Sequence, residues 1–358
     1  MVPDMSEPIR VGVVGFGLAG KVFHTAVIES TPGLQLTCVV ERTSDEAAKQ
    51  YPSIKVARSV DELLRDVGVQ LVVIATPSYS HYELAAQCLR EQRHVVVDKP
   101  FTLKSEEAAE LIRMARERKL LLAPYQNRRW DGDFQTVQQV IAGGELGRQV
   151  CYESHFDRFR SQPRRDVWRE NGGPGSGTLF DLGPHLIDQA LALFGAPGTV
   201  SADIRMDREN SAADDAFDLR LEYTGQRRLT VLLRSTLTAC LPGPRFLLHG
   251  THGSFVKWGL DPQEDQLKAG MKPDAPGYGE EPESAWGELK VCDKGTRRVP
   301  THKGDYRGFY ENVRDTLLGK AELIVKPEQA WRTTRLIELA RESSGQGRRV
   351  KVDFSSQP

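Results

Sequence analysis

The stretch Val11 to His24, VGVVGFGLAGKVFH, sets Gly15, Gly17 and Gly20 in a G-x-G-x-x-G spacing directly after an apolar run. Glycines punctuate turns everywhere, so the spacing alone says little. Its context says more. IRVGVVG (9–15) reads as a strand and LAGKVFHTAVIEST (18–31) as the helix after it. An acid, Glu41, closes the next strand, 21 residues after Gly20. Gly15 permits the tight turn, Gly17 leaves the backbone open to a pyrophosphate, and Gly20 lets helix and strand pack closely. The helix N-terminus then offers free N–H groups and a partial positive charge. The turn Gly15, Phe16, Gly17, Leu18, Ala19 and Gly20 therefore reads as a dinucleotide cradle. Val22 and Phe23 read as helix–sheet packing, and His24 has no assigned role.

The 358 residues imply two domains. With 48 basic and 49 acidic residues there is no electrostatic reason to expect nucleic acid or an anionic membrane as partner. No apolar run approaches the roughly 20 residues of a membrane span. MVPDMSEPIR carries no signal-peptide pattern. The five cysteines are scattered and form no C-x-x-C, so neither a metal site nor a disulfide framework is expected. A cytoplasmic location fits.

Up to residue 125, short apolar runs alternate with helical patterns. LQLTCVVE, VQLVVIATP, HVVVDKP and LLLAPY are apolar on both faces, as buried parallel strands are. Ser44 reads as a helix cap and Ser105 as a weak one. The fold class is α/β, a doubly wound parallel sheet over residues 1–125. Residues 126–325 change texture. CYESHFDRFR, AFDLRLEY, RRLTVLLRSTL and GSFVKW alternate with period two, as antiparallel strands of a second sheet do. A helix over about 176–193 interrupts them, and 261–305 reads as irregular. Residues 326–358 hold an amphipathic helix, KPEQAWRTTRLIELARESSG, expected to pack back on the first domain.

Three strand ends carry the chemistry. Glu41 suits the hydroxyls of an adenosine ribose and favours NAD. Arg42, Thr43 and Ser44 follow at once and suit a 2′-phosphate, which favours NADP. Thr76 and Pro77 would line the nicotinamide end, with His81 just beyond. A strand stop and a helix-opening His explain those residues equally well. Asp98-Lys99-Pro100 ends an apolar strand, and such a charged pair must find a partner or face a cleft. Lys99 there could polarise or protonate a substrate oxygen. In GTLFDLGPHLIDQAL, Asp181, His185 and Asp188 fall on one helix face, with Pro184 in the first turn. A His with a carboxylate one turn away, its tautomer fixed and its pKa raised, reads as a general acid/base.

These motifs together resemble the Gfo/Idh/MocA oxidoreductases over essentially the whole chain. ATPSYSH resembles the family's A-T-P-N-x-x-H with Ser78 for Asn. HVVVDKP resembles its E-K-P with Asp98 for Glu, and DLGPH its D-x-G-x-H. GFGLAGKVFH, PYQNRRWDGDF and LFDLGPHLIDQAL look like one subgroup, which includes NADP-dependent scyllo-inositol dehydrogenases. The resemblance implies a Rossmann domain, a C-terminal α+β domain with a large open mixed, mainly antiparallel sheet, and homodimers or homotetramers across that sheet. It implies Lys99, Asp181 and His185 as catalytic residues, a sugar or cyclitol substrate, and NAD or NADP with a tilt to NADP. Tyr125, Asn127, Arg128 and Trp168 are candidate substrate contacts. Arg158, Arg160, Arg164, Arg165 and Arg169 could bind an anion, though the sequence favours a solvated, ion-paired loop. Two rival readings share the scaffold: glycoside cleavage by transient oxidation, and a non-catalytic nucleotide sensor.

Overall fold

The structure is a computed structural model that describes residues 7–164, 166–225 and 228–358. Its first sheet contains β1 (Ile9–Val14), β2 (Leu34–Val40), β3 (Lys55–Ala57), β4 (Leu71–Ile74), β5 (His94–Val97) and β6 (Leu122–Pro124), all parallel, in the order 3-2-1-4-5-6. The β4 sequence LVVI is buried at every position, as a strand covered on both faces must be. Strand order reverses between β1 and β4, and this opens a crevice at their carboxyl ends.

The second sheet contains β7 (Gln149–His155), β8 (Thr199–Arg205), β9 (Ala216–Tyr223), β10 (Leu229–Thr236), β11 (Phe246–Gly250), β12 (Gly253–Lys257), β13 (Gly287–Val291), β14 (Gly295–Val299) and β15 (Val350–Lys351). Its order is 14-13-12-11-7-10-9-8-15. Every pair is antiparallel except β10 with β7, so the sheet is mixed. Alternation decides its faces. In β9, Phe217, Leu219, Leu221 and Tyr223 are buried while Arg220 is exposed. The inward residues meet the Gly183–Phe194 helix, whose Leu186, Ile187 and Ala190 are fully buried.

One expectation needs correction and another needs extension. The 261–305 stretch is not wholly irregular. It contains the Gln263–Lys268 helix and the strands β13 and β14, of which β14 forms the sheet edge. These strands, GELKV and GTRRV, are short and rich in charge, which hides the apolar alternation and, in β14, suits a sheet edge. The Pro327–Gln346 helix packs not on the first domain alone but on both. Glu338 accepts hydrogen bonds from the N–H and hydroxyl of Ser105, at 2.7 and 2.8 Å, and Arg116 pairs with Glu328. Ser343 Oγ accepts from the N–H of Ala202 in β8 at 3.0 Å. The helix thus ties the two domains together. No helix among the described residues is long and apolar enough to cross a membrane.

Candidate active site

The glycine turn leaves β1 at the crevice. Gly15 has φ +99°, a left-handed conformation, and a Cβ there would press on the Ala75 carbonyl. A Cβ at Gly20 would collide with the Gly15 carbonyl. A Cβ at Gly17 would meet no atom within 4 Å. Protein packing therefore requires glycine at two of the three positions, but not at Gly17. The open space beside Gly17 fits the diphosphate of a dinucleotide. Gly17→Ala should keep the melting temperature of the native chain, because nothing is displaced. It should weaken dinucleotide binding by about tenfold or more, which is a loss of about 1.4 kcal/mol. Unchanged affinity in a fluorescence titration would contradict that role.

The helix after the turn begins as a π-wound segment, Ala19–Thr25, and becomes α-helical only at Ala26–Glu29. Such turns concentrate at functional sites. Winding of this kind is invisible to apolar periodicity. It carries His24 into the core, where its Nδ1 lies 2.6 Å from the Tyr310 hydroxyl and its ring lies tilted against Tyr125, 4.3 Å between centroids. His24 Nε2 faces the Asp98 carboxylate at 3.9 Å. Burial raises the Asp98 pKa, but His24, Lys99 and His81 outweigh burial and leave it below the usual value. His24 is therefore a buried support for the strand end that carries Lys99.

At the adenine end, the Glu41 carboxylate accepts the N–H of Ala47 at 3.1 Å and so caps the Glu46–Gln50 helix. The cap position is Asp45 and not Ser44 as expected; Ser44, one residue earlier, still accepts the Glu46 N–H on its Oγ at 3.2 Å. Arg42 and Thr43 are exposed.

At the end of β5, Lys99 Nζ donates to the Asp181 carbonyl at 2.6 Å and to Asp181 Oδ1 at 2.9 Å. One of the three ammonium donors remains for a ligand. Arg169 Nε donates to the same Oδ1 at 3.1 Å. Burial pushes the Asp181 pKa up, but Lys99, Arg169 and Arg158 hold it far below the usual carboxylate range. Asp181 is thus a fixed anion that pins both cations.

His185 opens the Gly183–Phe194 helix, with Pro184 in its first turn. Its ring lies nearly parallel to Phe156, at 6.4 Å between centroids. The expected carboxylate partner is absent. The helix breaks at Leu182, Asp181 turns to Lys99 and Arg169, and Asp188 forms a two-point pair with Arg129 at 2.7 and 2.8 Å. The pKa of His185 is therefore lowered, not raised. Burial and then Lys99, Arg128, Arg245 and Arg158 push it well below 6.5. Its Nδ1 is buried with no hydrogen-bond partner among the described residues.

Lys99, Asp181 and His185 line one cavity of about 300 Å³, closed by Leu18, Ala19 and Phe23 of the glycine turn and helix. This joins the cradle to the charged groups. Tyr125, Asn127 and Arg128 are in its wall, as expected. Tyr125 donates its hydroxyl to the Phe23 carbonyl, and Arg128 is held by Glu264 and Asp131. Trp168 is not in this wall and packs on Tyr79 and Arg169 instead. His81 is buried with one ring nitrogen on the Pro100 carbonyl and the other on the Thr76 carbonyl. It ties the Thr76 and Lys99 loops together and presents no free nitrogen to a ligand. Arg158, Arg160, Arg164 and Arg169 are each ion-paired, as expected of an ion-paired loop, but they line the cavity and do not simply face solvent, while Arg165 lies outside the described residues. A larger hollow, about 500 Å³, opens beside His94 and Leu122 at the opposite strand ends, and has no comparable set of reactive groups.

Two family models match the chain. The oxidoreductase family, NAD-binding Rossmann fold, covers residues 9–126, and the oxidoreductase family, C-terminal alpha/beta domain, covers 138–352. The uncharacterised oxidoreductase YdgJ of Escherichia coli is 41% identical over 95% of this chain and 97% of its own. The NADP(+)-dependent scyllo-inositol 2-dehydrogenase IolW of Bacillus subtilis is 36% identical over 97% of both chains. The solved structure of the yvaA protein of Bacillus subtilis superposes with a TM-score of 0.94 at 35% identity, covering 98% of this chain and 100% of that one.

Proposed function

Since the chain belongs to the Gfo/Idh/MocA family of NAD(P)-binding oxidoreductases, we propose that it interconverts a CHOH carbon and a carbonyl in a sugar or cyclitol. A bound nicotinamide dinucleotide supplies the hydride acceptor or donor. The observation that carries this reading is the convergence of the Gly15–Gly20 cradle, Lys99 and His185 on one cavity.

The cradle would hold the diphosphate, with Thr76 and Pro77 toward the nicotinamide end. Lys99, fixed by Asp181, places a positive charge and one free donor at the oxygen where negative charge develops. His185 is neutral at neutral pH and is the group able to accept the hydroxyl proton. Asp181 has no proton to exchange and acts by positioning Lys99 and Arg169. The pocket supplies position and field, and the cofactor supplies the redox chemistry. Assembly into homodimers or homotetramers across the second sheet is part of the same proposal and rests on the family resemblance alone.

For the cofactor we propose NADP. Glu41, the residue that would repel a 2′-phosphate, has one carboxylate oxygen held by the N–H of Ala47 at the start of a helix. Arg42 is exposed beside it, with no ion pair among the described residues. Parallel titrations with NADPH and NADH should show tighter binding of NADPH. Arg42→Ala should narrow that difference by about tenfold, the worth of one charge-assisted contact. Equal affinities in the native protein would overturn the preference. Reduced cofactor appearing with a panel of inositols and aldoses tests the activity itself, and no reduction with any member would overturn it.

A further inference from the structure

The cavity wall carries Lys99, Arg128, Arg158, Arg160, Arg164, Arg169 and Lys268 against the carboxylates of Asp98, Asp181 and Glu264. Each acidic group nearby is already shared. Asp181 serves Lys99 and Arg169. Glu264 serves Arg128 and Lys268 at 2.5 Å each. Glu170, just behind the wall, serves Arg164 at 2.8 Å and the buried Arg208 at 3.0 Å. Arg158 and Arg160 come last in this order. Each reaches only the edge of a carboxylate already held by closer cations, at 3.6 Å from Glu264 and Glu170 respectively. Neither guanidinium donates a hydrogen bond among the described residues, although their side chains are only 24% and 30% exposed.

Backbone geometry aims these two side chains deliberately. The N–H of Arg158 bonds the Thr236 carbonyl and that of Arg160 the Leu237 carbonyl, so the chain after β7 stays extended. Residues two apart in an extended chain share a face. Arg158 and Arg160 therefore point together into the cavity, while Phe159 between them is 56% exposed. Arg160 is crowded by Arg158 and Arg164, which together with its burial lower its affinity for a proton. A partly desolvated pair of guanidinium groups with no carboxylate of its own is unfavourable unless an anion completes it.

We infer that the substrate of this cavity is an anionic polyol, bearing a carboxylate or a phosphate that Arg158 and Arg160 hold by their forked donors. This rests on the dehydrogenase reading above. The anion is a handle and stays intact. A dinucleotide held by the Gly15–Gly20 cradle would take the hydride of the CHOH carbon in its oxidised form, and His185 would take the hydroxyl proton, leaving a carbonyl. An anion beside Arg158 also offsets one of the positive charges that make His185 a reluctant proton acceptor, so the handle and the base cooperate.

The test compares matched pairs with the protein and NADP(H): glucose with glucuronate, glucose with glucose 6-phosphate, and inositol with inositol 1-phosphate. One charged member should exceed its neutral twin in kcat/KM by about 100-fold, the discrimination given by a site with unpaired polar groups awaiting a partner. Which arm responds separates carboxylate from phosphate. In Arg160→Gln that preference ratio should fall about tenfold, and Arg160→Lys should keep part of it. Neutral twins turned over as well as or better than the charged ones would overturn the inference and leave the dehydrogenase reading standing. A charged preference that is unchanged in Arg160→Gln and in Arg158→Gln would also overturn it. Reduction of the cofactor by neither twin of any pair would overturn the dehydrogenase reading and the inference with it.

Discussion

Lys99→Met lowers kcat by about a thousandfold or more and leaves dinucleotide affinity within about twofold. The reason is geometric. Lys99 Nζ is held at two points by Asp181 and keeps one donor for the reacting oxygen. Met fills similar space but carries no charge. The cradle at Gly15–Gly20 does not depend on Lys99, so binding persists. Asp181→Asn keeps the ammonium but weakens its hold, and should cost less, about tenfold to a hundredfold. The double variant should be little worse than Lys99→Met alone, because the two residues act as a unit. Steady-state rates of the three variants measure this. Additive losses would show that Asp181 acts other than through Lys99.

His185→Gln lowers kcat by about a hundredfold to ten-thousandfold, the range for losing a general base. The pH profile carries a further prediction. His185 is held well below its ordinary 6.5 by burial and by Lys99, Arg128, Arg245 and Arg158. Only the neutral ring accepts a proton, so activity falls as pH drops through the folded-state pKa. That value lies well under 6.5, so kcat/KM should stay flat as pH falls through 6.5 and decline only below it. The stability sign agrees. A His with a depressed folded pKa contributes stability above the unfolded value of about 6.5, and that contribution is lost at lower pH. A decline in kcat/KM centred at 6.5 or above, absent in His185→Gln, would contradict the neutral, crowded imidazole.

The doubly wound sheet was legible because parallel strands buried on both faces leave unbroken apolar runs such as LVVI and HVVV. Lys99 and His185 were legible because each sits at a strand or helix end where a charged or titratable group needs a reason. Their partners were not. The reading gave His185 a carboxylate at helical spacing, but the break at Leu182 sends Asp181 to Lys99 and Arg169. That break follows from Gly183 and Pro184, because proline lacks the N–H and crowds the carbonyl one turn back, so it opens a new helix instead of continuing the old one. His24 stayed unexplained because its partners, Tyr310 and Asp98, are distant in the chain. The arginines were visible as a run, but nothing local separates a solvated run from one aimed into a cavity. The extended backbone tied to Thr236 and Leu237 makes that difference. The strands β13 and β14 escaped notice because they are five residues each and carry charge where the other strands carry apolar residues; β14 forms the sheet edge.

The most direct test of the central claim follows a label. The protein with NADP⁺ is given inositol and glucuronate deuterated at carbon, and the product cofactor is analysed by mass spectrometry. The account predicts deuterium in the reduced nicotinamide and a ketone in the sugar. Deuterium returned to the sugar, with a glycosidic bond broken in a glycoside probe and no net reduced cofactor, would contradict it.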